Sequence, residues 1–528
     1  MRTLPRAMLL VTLGSPQLDQ KVAGRSKLLP GTRLRPPRPR AAASFFVPYP
    51  PPFNAADYAP RNAMMDCWHV IRRQGGWAAA LSTENQPLKH APRLPVMFRA
   101  LGHRNYRLFF SGQIVSLVGT WMQSIALSWL VYRLTGSSLL LGLVGFAGQI
   151  PIFLLAPVGG VFADRHSRNR IVIATQTSAM LLAFILSALT LLEHIQVWQI
   201  VVLAALLGVV NAFDIPARQA FIVEMVTGED LINAIALNSA MFNGARILGP
   251  AIAGVTVAAI GEGWCFFANG ASYLAVIVGL LLMVVTPRQR QRRVASGLES
   301  IVEGFQFVVH TGPIRALLLL LGLVSLTGMP YAVLMPIFAD KILHGGARGL
   351  GLLMGSTGVG ALAATMALAA RRGVRGLGRW VLYASSGFGA SLILFSFSRS
   401  FLISVLLLLP AGFCMLLQMS SSNTLIQTMV PDALRGRVMS VYSMMFMGMA
   451  PFGALLAGAI ASRLGAPVTV MLGGATCIAG SLVFGSKWPA LRVEARQLIL
   501  AQGMSSGEPP EEMTGQVDAL GSRKTAAP

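Results

Sequence analysis

From Leu108 to Ser486, long apolar stretches alternate with short polar breaks, and the alternation repeats twelve times. The stretches read as 108–132, 138–163, 170–192, 197–219, 232–260, 264–286, 314–338, 349–370, 379–397, 401–428, 437–461 and 466–486. Crossing a bilayer as a helix takes about 20 apolar residues, and each run meets that length. Lipid offers no partner to backbone N–H and C=O groups, so runs like these can only be helices. The predicted class is therefore an all-α membrane protein with twelve transmembrane helices. Only 12% of the residues are charged, against roughly 25% in an average soluble domain. The formal net charge of +23 would suggest nucleic acid for a soluble chain. Here the arginines sit mostly between apolar runs, where the positive-inside bias and anionic lipid account for them. The lipid bilayer is the expected partner, and nucleic acid is not.

The ends differ from the middle. Residues 1–96 carry 14 Lys/Arg against 4 Asp/Glu and proline clusters such as Pro48-Tyr49-Pro50-Pro51-Pro52. Proline at that density opposes helix, so a disordered basic extension is expected. Met97 is an alternative start that would leave this extension untranslated. Residues 487–528 are expected to be a disordered tail. Loop charge sets the orientation. Arg165, Arg168, Arg170, Arg288, Arg290, Arg292, Arg293, Arg371, Arg372, Arg375, Arg435 and Arg437 fall on one side. Only Arg133, Lys341, Arg348, Arg399 and Arg463 fall on the other. The first side is assigned to the cytoplasm, together with both termini.

The longest internal break, 287–313, divides the spans into 97–286 and 314–486. It contains apolar residues at 298, 301, 302, 305, 308 and 309 with Glu299 and Glu303 off that stripe, the pattern of an amphipathic helix on a membrane surface. The two halves also echo each other. Gly249-Pro250-Ala251-Ile252-Ala253-Gly254 recurs as Gly453-Ala454-Leu455-Leu456-Ala457-Gly458, and Met225-Val226 recurs as Met429-Val430 at the same offset. Duplicated six-helix bundles with a site between them are a transporter architecture.

Several chemistries have no residues to carry them. No G-x-x-x-x-G-K-[S/T] phosphate loop, H-E-x-x-H or G-x-S-x-G occurs, and four scattered cysteines with seven unclustered histidines offer no metal site. Neither an enzyme nor a cofactor is expected.

The break between the second and third runs is Gly160-Val161-Phe162-Ala163-Asp164-Arg165-His166-Ser167-Arg168-Asn169-Arg170. This Gly-x-x-x-Asp-Arg-x-x-Arg stretch resembles the signature loop of the major facilitator superfamily. The resemblance covers about Met97 to Lys487 and implies a twelve-helix secondary transporter. It also implies a cytoplasmic gate in which Asp164 meets a helix end of the other half and Arg168 pairs with an acid on helix four, a role for which Asp214 is available beside Arg218. Gly160 and Arg165 complete that set. In the second half, Ala370-Arg371-Arg372 places Arg371 where Asp164 would stand, so a one-sided latch is expected.

Four further stretches narrow the resemblance: Gly119-Thr120-Trp121-Met122-Gln123, Asn211-Ala212-Phe213-Asp214-Ile215-Pro216-Ala217-Arg218, Ala245-Arg246-Ile247-Leu248-Gly249-Pro250, and Val430-Pro431-Asp432-Ala433-Leu434-Arg435-Gly436-Arg437. All four are similar to the transmembrane secretion effector branch, which includes enterobactin exporters and macrolide efflux pumps. Gly249, Pro250 and Gly254 also resemble the helix-five motif of drug/proton antiporters. A packing kink is the alternative reading of that motif.

Arg246 stands out among the buried positions. It lies about 22 Å along its helix from Leu231 at 1.5 Å per residue, well within hydrocarbon. A cation at that depth must face protein or water. Binding an anionic substrate group, setting the protonation of an acid, and capping backbone carbonyls beside Pro250 are all open to it. Gln113, Gln123, Gln149, Asn238 and Asn243 in the first half and Gln418, Ser421, Asn423 and Gln427 in the second are cavity candidates, with interhelical hydrogen bonding as the alternative. Trp121 and Trp129 can stack on an aromatic substrate. The spans are nearly free of acids, which leaves Asp214 and Asp340 as the carboxylates for proton coupling. The expected protein is a monomeric exporter of small amphipathic molecules, siderophore-like or drug-like, in the bacterial inner membrane, working by alternating access with protons as the coupling ion. An uptake permease and a transport-inactive sensor or scaffold are the competing readings.

Overall fold

The computed structural model describes residues 96–284, 297–371 and 373–505. Of the extension read as 1–96, residues 1–95 lie outside the described residues, as do the arginines 288–293, Arg372 and the chain beyond 505. Among the described residues, twelve helices are long and apolar enough to cross a membrane. They are α1 (Arg104–Thr135), α2 (Ser138–Arg165), α3 (Arg168–Leu191), α4 (Val197–Met225), α5 (Gly228–Ile260) and α6 (Glu262–Leu281), followed by α7 (Gly312–Ile342), α8 (Gly346–Ala369), α9 (Leu377–Phe397), α10 (Phe401–Met429), α11 (Asp432–Leu464) and α12 (Ala466–Ser505).

Short turns force successive helices to run antiparallel. Gly136 closes α1 in the left-handed region at φ 59°, and Ser137 caps α2 by accepting from Leu140 N at 3.4 Å. Gly261 (φ 90°) and Gly465 (φ 82°) make the matching turns before α6 and α12, a backbone region that costs glycine little. The loops therefore sort to two ends. A basic end holds the α2–α3, α4–α5, α6–α7, α8–α9 and α10–α11 connections. The far end holds the others. Two helices are irregular. α7 relaxes into π turns at Val324–Gly328 and Phe338–Ile342, and α11 is interrupted at Gly448.

Helices α1–α6 form one bundle and α7–α12 the other, with α2 against α11 and α5 against α8 as the main contacts between them. Small residues bring backbones together inside each bundle. A Cβ on Gly112 of α1 would lie 2.7 Å from the Ala275 carbonyl oxygen of α6, and one on Gly389 of α9 would lie 2.5 Å from the Gly474 oxygen of α12. Close backbone approach of this kind is the main source of helix association in lipid. Large apolar side chains such as Leu154, Leu319 and Leu482 are exposed on the outside, as a lipid-facing belt requires.

The linker helix, Gly297–His310, lies where the amphipathic pattern places it. It docks on the start of α11, with Gly304 against the Arg437 backbone and Glu303 in an ion pair with Arg437. Among its described side chains Val308 is buried, whereas Val302, Phe305 and Val309 face outward. The single apolar stripe of the sequence thus serves two surfaces. The tail needs correction: α12 runs unbroken through 487–505 rather than ending at 486. Trp488 stacks on Phe484 at 5.1 Å, Ala495 is buried, and Glu494 accepts from Gly312 N at 3.3 Å. These contacts hold a charged stretch helical where composition alone suggests an end.

Candidate functional site

A cavity of about 350 Å³ lies between the bundles. Trp121 of α1, Gln149 of α2, and Arg246 and Pro250 of α5 line it on one side. Tyr331 of α7, Thr357 of α8 and the methionines Met329, Met354, Met415 and Met447 line it on the other. Among the described residues Arg246 is the one charged group on its wall. Its guanidinium lies over the Trp121 ring, 5.8 Å from the centroid. Gly249 lets α5 press against α1 at this level, because a Cβ there would collide with Trp121 Cβ and lie 3.0 Å from the Val118 oxygen. The helix-five glycine thereby allows α1 and α5 to approach closely where Arg246 meets Trp121.

At the far end the cavity floor is closed by two matching seams. A Cβ on Gly142 of α2 would meet the Ala454 oxygen at 2.5 Å and Gly458 Cα at 3.0 Å, both on α11. A Cβ on Gly351 of α8 would meet the Pro250 oxygen at 2.5 Å and Gly254 Cα at 2.9 Å, both on α5. The repeated glycines Gly254 and Gly458 thus occupy equivalent places in the two seams. Polar contacts reinforce them: the Tyr132 hydroxyl donates to Asp340 at 2.8 Å, and Ser138 Oγ donates to the Gly458 oxygen at 3.2 Å. Lys341 lies 6.0 Å from the centroid of the same Tyr132 ring.

The basic end is held differently. Arg168 reaches Asp164 at 3.5 Å, Glu224 at 3.0 Å and the Ala220 oxygen at 2.9 Å. The acid it meets on α4 is therefore Glu224, not Asp214. Asp214 is 3% exposed and belongs to a separate cluster. It pairs with Arg218 at 3.0 Å and accepts from Thr175 at 2.8 Å and Gln176 at 2.9 Å. Depth explains the exchange. Thr175 and Gln176 stand about two helical turns beyond Arg168, whereas Glu224 sits in the last turn of α4, level with it. Asp164 is 76% exposed. Arg165 is also exposed. A Cβ on Gly160 would meet nothing within 4 Å, and its neighbour Gly159 is the one pressed against the Ala212 backbone of α4. Among the described residues, the ion pairs at this end join groups within one bundle or between the second bundle and the linker helix.

Of the polar candidates, Gln149 stands on the cavity wall, and Gln113, Gln123, Asn238, Asn243, Gln418, Ser421, Asn423 and Gln427 do not. Gln123 accepts from Asn269 Nδ2 at 2.7 Å inside the first bundle. Asn243 donates to the Ser239 oxygen one turn back. Gln418 is 1% exposed within α10, with its Nε2 lacking a hydrogen-bond partner. Gln123 and Gln418 thus face their own bundles, and Asn243 bonds only within its own helix. Trp129 tilts against Tyr132 at 5.8 Å, toward the far end. The sequence reading missed Glu224, the methionine wall and the glycines Gly142 and Gly351. For Glu224 a signal existed, as an acid one turn from the end of a span.

The sequence profile described as transmembrane secretion effector matches residues 96–508. The chain belongs to this family. It is a transporter of the major facilitator superfamily and a multi-pass protein of the bacterial inner membrane. A staphyloferrin A transporter of Staphylococcus aureus is 28% identical over 72% of this chain and 95% of its own length. The multidrug efflux pump Tap of Mycolicibacterium fortuitum is 26% identical over 72% and 92%. An enterobactin exporter of Shigella boydii is 24% identical over 75% and 93%. The fold is shared with the crystal structure of a bacterial homologue of the iron transporter ferroportin, at a TM-score of 0.57 and 17% identity over 72% of this chain and 98% of that one. Family and relatives alike are transporters of small molecules.

Proposed function

We propose that this transporter exports small amphipathic molecules, siderophore-like or drug-like, by alternating access driven by a proton gradient, with the basic end in the cytoplasm. The observation that carries the reading is the cavity at Arg246, floored by glycine seams at the far end. With the arginine-rich loops inside, the cavity belongs to a state receptive to cytoplasmic cargo. Rocking of the bundles would part the seams and bring Asp164 toward the second bundle, which supplies no acid of its own at Arg371. The efflux and export named for two of the relatives support the direction. Of the two carboxylates considered for coupling, Asp340 is the better placed. It is held by Tyr132 across the bundle interface, whereas the partners of Asp214 all come from one bundle. A monomer suffices, since both seams and the cavity are made within one chain.

The test is proton-driven accumulation of a labelled candidate in everted membrane vesicles. Uptake that a protonophore abolishes is the expected result. Accumulation only in right-side-out vesicles would replace export with import, and none in either orientation would favour a sensor or scaffold.

A further inference from the structure

Arg246 sits midway along α5, where a guanidinium is costly unless something answers its charge. The usual answer is a carboxylate, and none is near. Asp214, Glu262 and Asp340, the acids set within the spans, are engaged by Arg218, Arg133 and Tyr132. Among the described residues no protein oxygen accepts from Arg246, and its close contact is the face of Trp121. A guanidinium has five N–H donors in a planar fork suited to two-oxygen anions. Stacking on a ring leaves that fork available, and the fork borders the cavity. The remaining wall is apolar and adaptable: the four methionines can repack around bodies of different shape, while Tyr331 and Thr357 add neutral hydroxyls. A volume of about 350 Å³ is at the small end of drug-sized sites.

From this arrangement we infer that the cavity is a site for amphipathic organic anions, with a carboxylate, sulfonate or similar group on Arg246 and an apolar or aromatic body against Trp121 and the methionines. Cations of the same size are excluded, since they would bring a second positive charge beside an unneutralised first. The inference rests on the export reading and gives it a substrate class.

Two probes share one aromatic body. 8-Anilino-1-naphthalenesulfonate is an anion, and N-phenyl-1-naphthylamine is the same skeleton without the sulfonate. Binding of each is measured by fluorescence to the full chain in phosphatidylcholine nanodiscs, which supply no anionic lipid. The sulfonate should bind at least about tenfold tighter than the neutral probe, the weight of one charge-assisted hydrogen bond. Arg246→Gln should erase that preference while leaving the neutral probe unchanged, and Arg246→Lys should retain part of it. Gln149→Glu, which adds a carboxylate to the wall, should also weaken the sulfonate about tenfold, and it gives a second route should Arg246→Gln fold poorly. Equal binding of both probes to the unmodified protein, or an equal loss of both in Arg246→Gln, would overturn the assignment. Everted vesicles separate it from the export reading. Binding preference without energised uptake leaves the anion site standing and removes export. Uptake of both probes at one rate leaves export standing and removes the anion site.

Discussion

The two ends of the bundle interface are built by opposite means. At the far end the contacts are backbone on backbone: Gly142 against Gly458 and Gly254 against Gly351, repeated with nearly the same geometry in both seams. At the basic end the contacts are charges, and among the described residues they stay on their own side: Arg168 with Glu224, Arg218 with Asp214, Arg437 with Glu303. A seam of glycines is all shape. It holds when two backbones meet and fails when any side chain intervenes. A cluster of ions can exchange partners, and Asp164, three-quarters exposed, is placed to do so. The far end is thus a fit that must be parted whole, and the basic end is a set of links that can be remade.

The largest effect should come from breaking the fit. Gly351→Val would drive atoms into the Pro250 oxygen at 2.5 Å and Gly254 Cα at 2.9 Å, with backbone on both sides and no flexible side chain to yield. Overpacking of this kind costs about 1–3 kcal/mol, so transport should fall roughly tenfold or more. Gly142→Val should match it, because the seams are equivalent. A single cysteine at Ser138 should also become more reactive toward a membrane-impermeant maleimide added from the far side. If Gly142→Val disabled transport and Gly351→Val did not, the equivalence would be lost. At the basic end, Gly159→Ala should lower the melting temperature, whereas Gly160→Ala should be neutral or raise it, since alanine favours helix by up to about 1 kcal/mol.

The next effect separates the two acids of α4. Arg168→Ala removes the ion pair to Glu224 and the bond to the Ala220 oxygen and should cut transport several-fold. A double-mutant cycle between Arg168→Ala and Glu224→Gln should show coupling of about 0.5–3 kcal/mol, as contacting residues do. The cycle with Asp214→Asn should be close to additive. Coupling confined to the second cycle would restore Asp214 as the partner of Arg168.

Some of this was legible in the sequence. Twelve spans, the break at 287–313 and the amphipathic linker helix are visible because hydropathy and period 3.6 are local properties. The glycine repeat was visible too, but only as an offset. That Gly254 and Gly458 face Gly351 and Gly142 depends on how bundles meet, and the partner glycines carry no repeat of their own. Arg246 and Trp121 were legible as unusual residues in a span. Their stacking was not, since it depends on how α1 and α5 approach each other at Gly249. The Arg168 partner was misassigned because a motif names residue types without depth, and Glu224 and Asp214 differ chiefly in depth along α4. The end of α12 was misread because Arg492, Glu494 and Arg496 resemble a tail in composition, while the contacts that hold them helical come from distant residues.

The smallest effect belongs to the hydrogen bond between Tyr132 and Asp340, which crosses the bundles. Tyr132→Phe removes the hydroxyl that donates to Asp340 at 2.8 Å and leaves the ring in place beneath Lys341. A bond of this type contributes about 0.5–1.5 kcal/mol net, so the closed far end should lose between about two- and tenfold in population. Maleimide labelling of a cysteine at Ser138 reads that shift directly. Asp340→Asn keeps an oxygen able to accept from Tyr132, so on geometry alone it should label less than Tyr132→Phe. Its second readout decides what the carboxylate is for. If Asp340 carries the coupling proton, Asp340→Asn should abolish gradient-driven export while leaving downhill exchange of substrate intact. Loss of both together would make it a strut of the closed end, and loss of neither would leave the far end resting on its glycines.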